Sequence, residues 1–184
     1  MRLFIGIPLP PQYQEMLGSI RKEWEKRFKS KLSWTRPDNW HLTIKFLGEV
    51  KDDKLPELEK FIKELDFECF SIEGSGVGFF SSKGEYRVIW LGLKKDVQSL
   101  IGLAVKIDYG LNILGFEKEK RPFRGHLTLA RIRRFYKTDP WTEMAEHVGN
   151  REWPVFEVKE VVLWQSILGR SGPRYETVTR AALS

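Results

Sequence analysis

Cysteine, histidine and long apolar runs are all scarce in this chain of 184 residues. The single cysteine, Cys69, excludes an internal disulfide and suits a reducing compartment. With no cysteine pair and three scattered histidines, no cluster has metal-ligand spacing, so we expect neither a metal nor another cofactor. No run is long and apolar enough to cross a bilayer, and the opening strand-like segment is broken too early by Pro8 for a signal sequence. We therefore expect a cytoplasmic protein with no membrane partner.

The charge balance is basic, with a formal net charge of +6 and a pI near 9.4. Such an excess favours a polyanionic partner, although solvated surfaces often carry as much. One basic run, Arg131, Arg133, Arg134 and Lys137, is either a track for an RNA backbone or a solvated strand edge. The sequence leaves both interpretations open.

Two of the three histidines stand in the same pattern, His-Leu-Thr followed by an aliphatic residue, at 41–44 and at 126–129. By composition, Leu-Thr follows a given histidine on the order of one time in two hundred, so chance is a poor explanation. Each run alternates polar and apolar residues, which is typical of a half-buried strand. Residues two apart on a strand share a face, so His41 with Thr43, and His126 with Thr128, are predicted to point to the open side. The third histidine, His147, is not part of such a motif and is assigned no role.

The remaining pattern predicts an α+β fold, with mixed or antiparallel sheets and helices outside them. Apolar residues at helical spacing predict helices over about 11–28, 55–65 and 97–115, and a fourth after Pro140. The last two predicted strands, 155–167 and 175–183, flank a turn at 169–173. Because the two motifs lie about half a chain apart, we expect one domain over 1–184. It would have two pseudo-symmetric lobes, with a central cleft that carries both motif strands.

Two imidazoles that face one cleft are suited to proton transfer, since an unperturbed histidine has a pKa of about 6.5. One can accept a proton from a nucleophile while the other protonates a leaving group. The hydroxyls of Thr43 and Thr128 can donate hydrogen bonds to phosphate oxygens. A phosphodiester needs these elements, so the residues favour phosphoester chemistry. Carboxyl ester hydrolysis fits less well, because no serine or cysteine nucleophile stands in a recognisable turn.

At nearly full length the chain resembles the two-histidine (2H) phosphoesterases of the RNA 2′,3′-cyclic phosphodiesterase family, also called 2′-5′ RNA ligases. The paired motifs are the specific part of this resemblance. Gly125 departs from the family, which usually has proline before the second histidine, but removes no catalytic group. The flanking segments that also resemble the family are residues 2–5, 45–49, 87–92, 121–123, 130–131 and 172–176.

The resemblance implies a role for each site residue. His41 would donate a proton to the leaving 3′ oxygen, and His126 would accept one from water. Thr43 and Thr128 would hold the phosphate, and Arg131 would add a cation. Arg131 is five residues after His126, so the alternation of faces along a strand points it away from the cleft unless the strand bulges. Lys45 is four residues after His41, so it should point to the cleft and is the better phosphate cation from first principles.

The implied enzyme hydrolyses the 2′,3′-cyclic phosphate at an RNA end, with tRNA fragments among the candidate substrates, and it can also join RNA ends as a 2′-5′ ligase. We expect it to be a monomer. Two alternatives stay open: an RNA-binding module without turnover, and a 2H phosphodiesterase acting on small cyclic nucleotides. Intact histidines and threonines in both motifs argue against the binding module.

Overall fold

The computed structural model describes residues 1–169 and 172–184, and within them the chain forms nine strands and four α-helices. Arg170 and Ser171, in the predicted last turn, lie outside the described residues. The strands are β1 (Arg2–Pro8), β2 (Lys31–Trp34), β3 (His41–Glu49), β4 (Phe70–Ser82), β5 (Glu85–Lys95), β6 (Leu127–Arg134), β7 (Val155–Val158), β8 (Glu160–Gly169) and β9 (Gly172–Ala182). The helices are α1 (Pro11–Trp24), α2 (Leu55–Lys63), α3 (Val97–Ile113) and α4 (Trp141–Gly149).

The strands form two sheets, and every described pairing is antiparallel. The first sheet has the order β3-β1-β8-β9, and the second has the order β2-β6-β5-β4-β7. Each sheet therefore carries one motif strand, β3 in the first and β6 in the second. The predicted α+β fold of two lobes, with one motif on each, is confirmed.

The sheets exchange strands between the two halves of the chain. Strand β2 comes from the first half but joins the second sheet, while β8 and β9 return to the first sheet. The prediction of one strand over 155–167 is wrong, because the chain leaves the second sheet after Val158 and enters the first at Glu160. Val158 and Val161 are both buried, so the apolar pattern continues across this change of sheet.

One helix also crosses from the sheet that it follows to the other sheet. Helix α1 follows a strand of the first sheet but packs on the second, where the Tyr13 hydroxyl donates to the Pro154 carbonyl and accepts from the Gly74 amide. Helix α4 packs on β4, and α2 packs on β8 and β9. Helix α1 ends at Trp24, short of the predicted Phe28. Phe28 still packs on Trp141, with ring centroids 4.7 Å apart, so its apolar spacing reflects core packing outside the helix.

The motif strands bury the side that the alternation predicted. Leu42, Leu127 and Leu129 have no exposed surface, and they belong to a cluster of buried side chains that draws on both sheets. This continuous core supports the proposal that residues 1–184 form one domain. Among the described helices, none has the length and apolar character needed to span a membrane.

Candidate active site

His41 opens β3 and is fixed by a hydrogen bond to the chain just before it. Its Nδ1 atom lies 2.7 Å from the carbonyl oxygen of Asn39. A carbonyl can only accept, so Nδ1 carries the proton of the neutral ring and Nε2 is left with a lone pair. A 3₁₀ turn over Pro37–Asn39 sets the position of that carbonyl. The first imidazole is therefore held in one tautomer by its own chain.

His126 is held in the same way immediately before β6. Its Nδ1 atom lies 2.8 Å from the carbonyl oxygen of Arg124, again two residues earlier in the chain. The neutral ring therefore also carries its proton on Nδ1. Both histidines thus have Nε2 as the atom available for proton transfer.

The two imidazoles differ in their surroundings. His41 packs against the rings of Phe4, Tyr175 and Trp164, at centroid distances of 4.7, 5.1 and 5.5 Å. Burial among these rings lowers the pKa of His41 to about 4. The ring of His126 meets Phe80 edge to face at 4.9 Å.

The pKa of His126 is also lowered, first by burial and then by the cationic side chains of Arg131 and Arg124. Both histidines are therefore biased towards the neutral form. This leaves each Nε2 available to accept a proton near neutral pH, and it makes each protonated ring a stronger acid than a free imidazolium.

Thr43 and Thr128 occupy equivalent places on the two motif strands. Thr43 pairs with Gly6 on β1, and Thr128 pairs with Trp90 on β5. Both threonines are partly exposed, while the leucine before each is fully buried. Within residues 1–169 and 172–184, neither hydroxyl has a hydrogen-bond partner, so both are free to donate to a phosphate.

A hydrogen bond ties the two motifs together across the sheets. The indole of Trp40, which precedes His41, donates to the backbone carbonyl of Thr128 at 3.0 Å. The Thr35 hydroxyl donates to the same oxygen at 2.8 Å. Trp40 is buried, so it belongs to the core that fixes the motifs. Its place beside the first histidine was visible in the sequence, but its partner was not.

Each motif strand contains a β-bulge at the residue after its threonine. Thr43 and Lys45 pair with the adjacent residues Gly6 and Ile5, so Ile44 is the extra residue of β3. Leu129 is the extra residue of β6 by the same reasoning. A bulge shifts the alternation of faces by one residue. The fifth residue after each histidine therefore lies on the same face of the strand as the histidine and the threonine.

These bulges place the two predicted phosphate cations on different faces of their strands. Arg131, five residues after His126, is exposed, and its charge adds to the effect of burial in lowering the pKa of His126. Burial raises the pKa of the Tyr175 hydroxyl, and the charge of Arg131 opposes that rise. Because Tyr175 packs on His41, Arg131 lies near both halves of the site.

The first-principles preference for Lys45 is wrong. The Lys45 ammonium group is buried, pairs with Asp108 and donates to the Glu117 carbonyl at 2.7 Å. The bulge at Ile44 turns it towards α3 and away from the face that carries His41 and Thr43.

The aromatic residues around the histidines were missed by the analysis of the sequence. Phe4 comes from β1 and Tyr175 from β9, at opposite ends of the chain. Both stand in segments that resemble the family, which was the available signal. No motif or family-like segment in the sequence pointed to Trp164 or Phe80. In the part of the chain that the structure describes, no group of three or more His, Cys, Asp or Glu side chains could hold a metal ion.

The fold and the site together define a class of protein. Each of the two sheets presents a histidine and a threonine at its motif strand, which is the arrangement that the resemblance to two-histidine phosphoesterases implied. The model of the LigT like phosphoesterase family matches the chain twice, over residues 7–90 and 91–175. The chain therefore belongs to this family, and the predicted family is confirmed.

Similar proteins agree with this assignment. An RNA 2′,3′-cyclic phosphodiesterase of Archaeoglobus fulgidus is 34% identical over 176 residues, covering 96% of this chain and 97% of the relative. One of Methanocaldococcus jannaschii is 31% identical, covering 97% and 98%. The crystal structure of E. coli LigT complexed with 3′-AMP has a TM-score of 0.79 at 28% identity, covering 100% of this chain and 98% of LigT.

Proposed function

We propose that the protein hydrolyses the 2′,3′-cyclic phosphate at the 3′ end of an RNA to a 2′-phosphate, without a metal ion. The observation that carries the proposal is the pair of imidazoles, each fixed through Nδ1 so that Nε2 is available for proton transfer. The substrate class follows the relatives, which are named RNA 2′,3′-cyclic phosphodiesterases.

In the proposed reaction, the phosphate lies between the hydroxyls of Thr43 and Thr128, and Arg131 neutralises part of its charge. His126 Nε2 accepts a proton from water as the water oxygen bonds to phosphorus. The bond from phosphorus to O3′ breaks, and protonated His41 Nε2 gives its proton to that oxygen. The product keeps the phosphate on O2′. One proton enters the enzyme and one leaves it, so the two histidines exchange protonation states in each turnover.

The same arrangement accounts for ligation. If the 5′-hydroxyl of a second RNA takes the place of water, its oxygen bonds to phosphorus while O3′ leaves. The phosphate then bridges O2′ of one strand and O5′ of the other, which is a 2′-5′ linkage. Ligation thus needs no further catalytic group. We retain tRNA fragments as candidate substrates, and a monomeric state and a cytoplasmic location as predictions.

A second candidate is a 2H phosphodiesterase that acts on small cyclic nucleotides. The crystal structure of E. coli LigT with 3′-AMP supports it, because that protein holds a mononucleotide. The two candidates differ in substrate and share their chemistry. An RNA-binding module without turnover is disfavoured, since binding alone does not require two imidazoles held in the same tautomer.

The test is single-turnover hydrolysis of an RNA ending in a 2′,3′-cyclic phosphate, in excess EDTA. We expect full activity in EDTA, and a loss of at least about two orders of magnitude for His41→Ala and for His126→Ala. Because both groups act on one transition state, the double variant should lose less than the product of the two effects. His147→Ala is the matched control and should keep wild-type activity.

Circular dichroism of each variant separates a catalytic loss from unfolding. Near-normal turnover by a folded His41→Ala or His126→Ala variant would remove that residue from the mechanism. Activity abolished by EDTA and restored by a divalent ion would overturn the metal-free proposal.

A further inference from the structure

The face of the second sheet that carries His126 extends towards the edge strand β2. Ser33 on β2 lies opposite Arg131 on β6, and Lys31 lies opposite Arg134. Directly opposite residues of an antiparallel pair share a face, as do residues two apart on one strand, so these four side chains lie on one face. Because Arg131 shares its face with His126, Arg134 and Lys31 continue that face beyond the candidate active site.

The register also fixes how far these cations lie from the reacting phosphate. Ser33 and Lys31 are two residues apart, which is about 7 Å along a strand. The backbone of Arg134 is therefore about 7 Å beyond that of Arg131, which neutralises the cyclic phosphate in the proposed reaction. An RNA strand carries one negative phosphate per nucleotide, and long side chains at this distance can reach the next phosphate along it.

Lys31 and Arg134 bring two like charges together. Both side chains are exposed, and in the part of the chain that the structure describes neither of them forms an ion pair. Like charges directly opposite each other on neighbouring strands lower the stability of a sheet. A lysine on an edge strand can discourage pairing with another chain, but that role does not need an arginine opposite it on the inner strand. A bound anion would offset the repulsion between the two.

Another exposed lysine of the same sheet has its charge balanced within the protein. Lys94 on β5 lies directly opposite Glu73 on β4, and their charged groups are 2.8 Å apart. Lys31 and Arg134 instead leave two positive charges available to a ligand. A nucleic-acid backbone supplies the complementary anions, and the second motif on the same strand supplies the place where its end would bind.

We propose that Lys31 and Arg134 bind the phosphodiester on the 5′ side of the terminal nucleotide, so that the RNA strand leaves the active site along β6 towards the sheet edge at β2. The inference rests on the proposed function, since it extends the substrate from the cyclic phosphate to the strand that carries it. The sequence left the basic run of β6 as either an RNA track or a solvated edge. The proposal assigns Arg134 of that run to the RNA backbone and adds Lys31, which comes from the other half of the chain.

The test compares KM for a 2′,3′-cyclic mononucleotide that has a free 5′-hydroxyl with KM for a short oligoribonucleotide that has the same cyclic end. The variant K31Q/R134Q should raise the ratio of the oligonucleotide KM to the mononucleotide KM about three- to thirtyfold, which is the effect of losing two exposed ion pairs. It should also lower the log-log salt slope of oligonucleotide binding by about 0.7, the value for one single-strand phosphate.

A second variant separates RNA binding from a structural role of Lys31. Lys31→Glu places a carboxylate opposite Arg134, so it should raise the urea midpoint of unfolding while it also raises the KM ratio. A lower urea midpoint would show that Lys31 stabilises the sheet, and it would overturn the proposal.

The matched control is K60Q/K63Q, which removes the same charge from exposed side chains of α2 and should leave the KM ratio unchanged. An equal rise of the KM ratio in the two double variants would show a general attraction of the basic protein for RNA and would overturn the proposal. So would an unchanged KM ratio in K31Q/R134Q. Wild-type protein that hydrolyses neither substrate would instead contradict the proposed function.

Discussion

At the scale of the residue, the site depends on two imidazoles that share a tautomer but differ in environment. His41 lies among three aromatic rings, whereas His126 lies beside cationic side chains. The proposed acid, His41, has a pKa of about 4 in the free protein, so it is rarely protonated near neutral pH but is a strong donor when it is.

These lowered pKa values affect the pH dependence of kcat/KM, which reports the ionisation of catalytic groups in the free enzyme. The reactive form needs protonated His41 and neutral His126, and the pKa values of both are below the usual 6.5. We therefore predict a bell-shaped profile with its maximum between about pH 4 and 6.5. Initial rates at low substrate concentration across pH 3.5 to 9, on the order of ten points, would measure it. A plateau that extends above pH 7 would refute this assignment.

The pKa shift of His41 also predicts a pH-dependent stability. Because the folded-state pKa of about 4 is below the unfolded value of 6.5, the unfolded chain binds more protons between these limits. His41 therefore lowers the free energy of unfolding as the pH falls from 6.5 towards 4, by up to about 3 kcal/mol. Urea titrations at pH 7 and pH 4.5 should show a smaller loss for His41→Asn than for the wild type. An equal loss of unfolding free energy in both proteins would show that burial does not lower the pKa of His41.

At the scale of the element, the sequence predicted the motif strands and their buried faces but not their irregularities. The alternation of polar and apolar residues over 41–44 and 126–129 was sufficient to predict that His41 and Thr43 share one face of the strand and that Leu42 takes the buried face. It could not show the bulges at Ile44 and Leu129, because a bulge depends on the register with a partner strand. That missing information produced the mistaken preference for Lys45.

The change of sheet after Val158 was hidden for a similar reason. Both sheets bury apolar residues at this point, so the pattern alone reads as one long strand. Helices were predicted more easily, since the spacing of Leu17, Ile20 and Trp24 depends on only one element. A contact between distant elements, such as the hydrogen bond from the Trp40 indole to the Thr128 carbonyl, leaves no pattern in the local sequence.

The bulged pairing of β1 and β3 can be tested at Gly6, which lies opposite Thr43. A Cβ atom there would be 2.5 Å from the Leu42 carbonyl oxygen and 3.1 Å from the Trp164 ring. We predict that Gly6→Ala lowers the free energy of unfolding by about 1 to 3 kcal/mol and also reduces turnover, since it displaces the strand that carries His41.

Gly18→Ala is the matched control. Gly18 lies in α1, and an added Cβ atom would have no neighbour within 4 Å. Alanine favours a helix over glycine by about 0.5 to 1 kcal/mol, so this variant should be slightly more stable and equally active. A Gly6→Ala variant as stable and active as Gly18→Ala would contradict the described register.

At the scale of the whole molecule, the exchange of strands between the two sheets joins two similar halves of the chain into one site. Strand β2 joins the second sheet, β8 and β9 join the first, and Trp40 connects the motifs, so neither sheet is built from one half alone. The two halves are equivalent in their histidines and threonines but differ at Phe46 and Arg131. This difference makes the site asymmetric, so the two ends of a bound ribose phosphate would meet different side chains.

The product of hydrolysis is therefore the most direct test of the account. Attack in line with the breaking bond requires the base behind phosphorus and the acid beside the leaving oxygen, which the fixed histidines allow for one of the two ester bonds. Phosphorus NMR of the products, compared with authentic 2′- and 3′-phosphate standards, would show which bond was cut. We predict a single 2′-phosphate product. A clean 3′-phosphate would reverse the roles of His41 and His126, and a mixture of both products would contradict a site with fixed acid and base.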